Sequence, residues 1–259
     1  MGFLAALRFL TVFPVPKLKG EGLEQLGRSI AYFPLVGILL GAVLAGLSYI
    51  LQLILPVPVV SILLVAALVI MTGAHHIDGL IDTCDAMVTG KTREQRLVIM
   101  SDTRVGAFGI TGACLILIAK YAAITQAVGF TALLIMPMAS RWALIGAILI
   151  FPSAKKSGMG FITRNGARWG GFVAATILSI LLSVIFLGLL KGSVLMAGLF
   201  SLICCLGLLF TRLFGGLSGD NYGALIEIGE VLSLVLILVL NSSSLAIPNF
   251  YLFKLPFGD

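Results

Sequence analysis

The chain has 259 residues, 59% of them apolar and 11% charged, against roughly 25% charged in an average soluble domain. This composition excludes an ordinary water-soluble fold. The net charge of +6 comes from basic residues scattered over short segments rather than gathered in a patch, so no nucleic-acid partner is expected.

The first fifteen residues are apolar but carry Arg8, and Pro14 and Pro16 follow without a small-residue cleavage site. They read as an interfacial or packed segment rather than a cleaved signal. Bilayer crossings, which need about 20 helical residues, are then expected near 33–55, 59–74, 107–128, 130–151, 172–190, 194–214 and 223–240. Gly37, Gly41 and Gly46 in the first offer small-residue spacings for close helix packing. Phe250–Phe257 is too short to cross. No loop exceeds about 35 residues, too few for a soluble core of its own, so residues 1–259 form one integral membrane domain. The fold class is all-α: a polytopic helix bundle of about seven transmembrane helices, with six to eight as the range. Cys84, Cys114, Cys204 and Cys205 contain no Cys-x-x-Cys pair, which indicates neither a disulfide framework nor a zinc site.

Arg8, Lys17, Lys19 and Arg28 precede the first crossing, and Lys91, Arg93, Arg96 and Arg104 follow the second. Lys155, Lys156, Arg164 and Arg168 follow the fourth, and Arg212 closes the sixth. With seven crossings and the N-terminus inside, these 13 of 17 cations are all cytoplasmic, while Lys191 and Lys254 face out. The expected location is the cell (inner, cytoplasmic) membrane. Lys120 and Arg141 lie inside crossings, where a charge costs about 2.5 to 3.5 kcal/mol. Each needs a polar partner or an anionic ligand.

The acids are few, six Asp and five Glu, and seven of the eleven gather at one membrane edge. In His76-Ile-Asp-Gly-Leu-Ile-Asp-Thr-Cys-Asp85, Asp78, Asp82 and Asp85 fall at i, i+4 and i+7. A helix continuing from the second crossing would place them on one face. Three like charges so placed call for a cation, and hard oxygen ligands favour Mg²⁺ or Mn²⁺. Because Mg²⁺ prefers a few carboxylates plus phosphate oxygens, phosphoryl transfer is the natural chemistry.

Met100-Ser-Asp-Thr-Arg-Val-Gly-Ala-Phe-Gly109 opens the third crossing. Asp102 can cap a helix or bind metal, Arg104 can clasp a phosphate, and Gly106 permits close backbone approach. Gly215-Gly-Leu-Ser-Gly-Asp220 feeds a helix N-terminus whose amides can cradle an anion. Glu227 and Glu230, at i and i+3, should face the bundle interior. His76 is a possible base.

These segments, with Phe9-Leu-Thr-Val-Phe-Pro-Val-Pro16 and Arg28-Ser-Ile-Ala-Tyr-Phe-Pro-Leu-Val-Gly37, run through nearly the whole chain. They resemble the cobalamin synthase family, the adenosylcobinamide-GDP ribazoletransferases. The departures are mild: His75 stands where that family more often has an apolar residue, and Cys84 replaces a small one.

The resemblance implies an integral membrane, Mg²⁺-dependent enzyme that joins adenosylcobinamide-GDP to α-ribazole or its 5′-phosphate and releases GMP. In it the ribazole 3′-hydroxyl attacks the cobinamide phosphoryl group. Asp78, Asp82, Asp85 and Asp102 are the expected metal ligands, and Asp82, His76, Arg104 and Asp102 the candidate catalytic residues. The base is left open between His76 and an aspartate. Gly79, Gly106, Gly219, Asp220, Glu227, Glu230 and Arg141 complete the candidate substrate-binding set. A homo-oligomer is left open.

The Asp-Gly motif is also distantly similar to the signature of CDP-alcohol phosphotransferases, with different spacing and without the Ala-Arg of that signature. A lipid head-group enzyme is therefore the second reading. A polyprenyl transferase, which would release inorganic pyrophosphate, and a secondary transporter with Lys120, Arg141, Glu227 and Glu230 as its ion path are the remaining rivals. The charge bias makes a direct prediction: cysteines placed between residues 74 and 106 should be labelled only from the cytoplasmic side. Labelling from outside intact cells would overturn the topology.

Overall fold

A computed structural model describes residues 2–16, 24–127 and 129–242, and among these every regular element is a helix. The expected short stretch Phe250–Phe257 lies outside the described residues, as do Lys17, Lys19 and Lys254. Six helical runs are long and apolar enough to cross a bilayer. They are Leu26–Leu51, α7 (Ala107–Gln126), α8 (Phe130–Ile150), α10 (Trp169–Leu187), α11 (Leu189–Phe214) and α12 (Gly219–Asn241). The first combines α2 (Glu24–Arg28), a 3-10 turn at Ser29–Tyr32 and α3 (Phe33–Leu51). It begins earlier than its apolar run suggests and stops at Leu51, and extended Pro56 precedes α4 (Val57–Met71). The chain is thus a polytopic helical membrane bundle.

The second expected crossing is the one the structure changes. The 15 residues of α4 span about 22 Å, short of the roughly 30 Å hydrocarbon core. The helix does not continue through the aspartates: α5 (His75–Thr89) leaves α4 at 89°. The turn is made by Gly73 and Ala74, both in the left-handed region at φ +63° and +57°. For Ala74 this conformation costs about 1–2 kcal/mol. Helix α5 turns across the starts of α7 and α12, and with the bent α4–α5 pair counted as one span the crossings number up to seven, in keeping with the expected count of about seven.

Short helices α1 (Gly2–Leu10), α6 (Arg93–Ile99) and α9 (Met159–Gly166) complete the described elements. The first is a packed segment: Ala5, Ala6, Leu7 and Leu10 are buried, Phe9 stacks on Phe33 with ring centroids 5.7 Å apart, and Val12 N–H donates to Met71 O at 2.9 Å.

Helix α8 is the central post, with 89% of its most apolar window buried. Gly37 and Gly41 bring α3 against it; a Cβ on either would come within 2.5 Å of Pro137 O or 2.7 Å of Leu133 O. The third glycine of that spacing, Gly46, meets nothing within 4 Å and takes no part. Trp142, on the opposite flank, packs against Phe172 of α10 and Phe200 of α11.

Both charges expected inside crossings are buried and partnered by side chains. Lys120 of α7 donates to Glu227 at 2.7 Å and also to Glu230. Arg141 of α8 pairs with Glu230 and donates to Ser140 Oγ at 3.0 Å. Lys120, Arg141 and Glu230 side chains are 0% exposed. Two cations and two carboxylates thus form a neutral knot joining α7, α8 and α12.

Removing one member of a buried pair leaves an uncompensated charge, at a cost of about 3–5 kcal/mol. Lys120→Met should lower stability on that scale in detergent denaturation. Adding Glu227→Leu, which restores charge balance, should recover most of the loss.

Candidate active site

Three elements meet at one end of the bundle: α5, the first turn of α12 and the loop before α7. The approach of α5 to α12 requires glycine, because a Cβ on Gly79 would lie 2.6 Å from Asp220 O. The start of α12 is fixed by a reciprocal cap: Asn221 N–H donates to Ser218 Oγ at 3.2 Å, and Ser218 N–H to Asn221 Oδ1 at 2.9 Å. Asn221 Nδ2 then donates across to Thr83 Oγ1 on α5 at 3.1 Å. Asp220 is thereby held over the aspartate face of α5.

Along that face burial rises from exposed Asp78 through half-buried Asp82 to buried Asp85. Asp85 is engaged by backbone: its two oxygens accept from Gly106 N–H at 2.7 Å and Gly109 N–H at 2.8 Å. It caps the first turn of α7 from another helix, which complements the positive end of the helix dipole. Glycine is needed at both positions, since a Cβ would come within 2.3 Å of the carboxylate at Gly106 and 2.4 Å at Gly109.

Asp82 lacks such partners. Burial, then Asp220, Asp78 and Asp85, push its carboxyl up to about 7, opposed by Lys155. The four carboxylates therefore share one electrostatic environment, although among the described residues no three acidic, histidine or cysteine side chains are close enough to form a ready-made metal cage.

The other candidates are engaged with different partners. Asp102 and Arg104 pair with each other at 2.8 Å on the loop before α7, where the Arg104 side chain is 88% exposed. The Arg104 hydrogen bonds hold the Asp102 carboxyl below its ordinary value. His76 lies on the α12 side of α5, its backbone against Gly223, with the residue 7% exposed and Nδ1 without a hydrogen-bond partner. Glu227, Glu230 and Arg141 belong to the knot in the bundle interior, and Gly219 is the first residue of α12.

Sequence reasoning missed Thr83, Asn221 and Lys155. The Ser218-x-x-Asn221 capping pattern could have signalled Asn221; nothing local signals the other two.

A raised carboxyl lowers stability as pH climbs from its unfolded value to its folded one. In metal-free buffer, Asp82→Asn should therefore raise the melting midpoint by about 2–4 °C above about pH 7, after allowance for the exposure of Asp82. The gain should vanish by about pH 4, as measured by thermal unfolding at both pH values.

Residues 2–238 match the family model described as Cobalamin-5-phosphate synthase. Among similar curated proteins, the adenosylcobinamide-GDP ribazoletransferase of Geotalea daltonii is 38% identical over 90% of this chain and 95% of its own. That of Roseiflexus sp. is 36% identical over 88% and 86%, and that of Klebsiella pneumoniae 35% identical over 91% and 98%. No solved structure matches the chain. A match over nearly the full length, from residue 2 to residue 238, places the chain in the Cobalamin-5-phosphate synthase family.

Proposed function

We propose that this multi-pass membrane transferase joins adenosylcobinamide-GDP to α-ribazole or its 5′-phosphate at the α5–α12 edge, with Mg²⁺ as cofactor. The observation that carries the reading is the gathering of Asp78, Asp82, Asp85 and Asp220 at one end of the bundle, in a chain whose similar relatives bear the name adenosylcobinamide-GDP ribazoletransferase. The charge bias supports a cytoplasmic site in the cell membrane, with the N-terminus inside.

The donor set fits the ion. Carboxylate oxygens are hard ligands, and Mg²⁺ is commonly held by one or two of them plus water and substrate phosphate, so no three-carboxylate cage is required. Burial first, and then the neighbouring Asp220, Asp78 and Asp85 carboxylates, raise Asp82 to about 7, and a cation would relieve the second of these causes. Asp82 of α5, with one further carboxylate from Asp78 or from Asp220 of α12, would hold the ion beside water and substrate phosphate. Asp85 contributes mainly by fixing α7, and Asp102 is already paired with Arg104. When bound, the ion would neutralise charge on the diphosphate oxygens.

The acceptor hydroxyl oxygen forms a bond to the cobinamide-linked phosphorus while the bond from that phosphorus to the GMP oxygen breaks. The electron pair of the broken bond leaves on GMP. The hydroxyl proton passes to a carboxylate of this edge rather than to His76, whose imidazole is buried on the other side of α5. Exposed Arg104 can swing from Asp102 to an incoming phosphate, a bidentate exchange of one anion for another. The four interior charges that a transporter would need as an ion path are paired with one another.

Purified protein given adenosylcobinamide-GDP, α-ribazole and Mg²⁺ should release GMP and yield a product of the joined mass, with no turnover of a CDP-alcohol pair. Asp82→Asn should cut the rate about a hundredfold or more, the scale on which one preorganised electrostatic group is felt. Near wild-type turnover by that variant would overturn the metal assignment.

A further inference from the structure

The loop between α8 and α9 has no role in the reading so far, yet its backbone is firmly held. Ala154 N–H donates to Leu217 O at 2.9 Å and Leu217 N–H to Pro152 O at 2.8 Å, a two-residue parallel bridge that ties the loop to the turn entering α12. Ser153 Oγ donates to Lys155 O at 2.8 Å, and Arg93 Nη2 reaches Ala154 O at 3.4 Å. What this brings to the acidic edge is the Lys155 ammonium. It lies 3.8 Å from Asp220 Oδ2 and 3.3 Å from Ser101 Oγ, with its side chain 35% exposed.

Neighbouring cations are used differently. Arg93, Arg96 and Arg164 direct their guanidinium groups to the backbone carbonyls of Ala154, Leu213 and Phe151, which clamps loops to helix ends. Arg104 pairs with Asp102. Lys155 instead points its charge at a carboxylate of the candidate site, at a separation too long for a tight ion pair. A half-open pair at that distance adds little stability. A lysine is a compact point charge with three donors, suited to phosphate oxygens. An edge bearing four carboxylates also needs fixed positive charge beside the ion if a diphosphate is to enter.

We propose that Lys155, with the Ser101 hydroxyl beside it, binds the diphosphate of the nucleotide-activated donor, placing a phosphate subsite between the α8–α9 loop and the start of α12. This rests on the phosphoryl-transfer reading above and adds the residue that selects a nucleoside diphosphate over a neutral acceptor.

The test uses the full-length protein in detergent or nanodiscs, with GDP and inorganic pyrophosphate as binding probes in the presence of Mg²⁺ and GMP release as the kinetic readout. Lys155→Ala should weaken GDP binding and pyrophosphate competition by about tenfold and raise KM for adenosylcobinamide-GDP to match, with KM for α-ribazole unchanged. Lys155→Arg should restore most of the GDP affinity. An unchanged melting midpoint in both variants would show that the fold is intact.

GDP binding indifferent to Lys155→Ala, or an equal rise in KM for both substrates, overturns the assignment. Wild-type protein that binds GDP through Lys155 but releases no GMP would overturn the proposed reaction and leave the subsite standing. Wild-type protein that turns over, with Lys155 making no difference to GDP, would do the reverse.

Discussion

Burying a charge in an apolar bundle is tolerable only when the charge is matched there, and four of the buried charges of this chain meet in one knot. Lys120 arrives on α7, Arg141 on the central α8, and Glu227 with Glu230 on α12. Hydrocarbon supplies little drive for helices to associate, so a charge that can be satisfied only by a given neighbour fixes which helix stands beside which and at what height. A one-turn slip of α12 would separate Glu230 from both cations. Other contacts depend on that register. The first turn of α12 comes to the bundle end where Gly79 can receive Asp220 and where Asn221 meets Thr83.

The acidic side chains consequently fall into two populations. Glu227 and Glu230 are neutralised and closed to solvent, and Asp85 is neutralised by amides. These three build the frame. Asp78, Asp82 and Asp220 stand at its rim with less compensation, and burial together with its acidic neighbours displaces the Asp82 carboxyl upward. A fold that assembles opposite charges where it needs rigidity, and leaves like charges facing one another where a cation can enter, has separated structure from chemistry within about one helix turn of α5.

Much of this was legible in the sequence. Uninterrupted apolar length marked the crossings, because a bilayer imposes a fixed span, and the i, i+4, i+7 spacing of Asp78, Asp82 and Asp85 put them on one face in any helix. The right-angle turn at Gly73–Ala74 was not legible: one glycine in an apolar run without proline also fits a continuous helix. Burial inside a crossing announced that Lys120 and Arg141 needed partners, yet the partners are 107 and 89 residues away, beyond any local pattern. Asp102 and Arg104 pair two residues apart, which a spacing argument alone does not separate from a shared grip on a ligand. Lys155 carries no motif; its importance comes from a backbone bridge to Leu217 that only three dimensions reveal.

The grip of Asp85 on Gly106 and Gly109 makes one object of two signatures that look independent along the chain. The helix bearing the aspartates and α7 are joined at a single carboxylate, so neither can be transplanted, retuned or redesigned by itself. An engineer exchanging segments between homologous chains would have to move both halves together, or leave two amides facing a stranger.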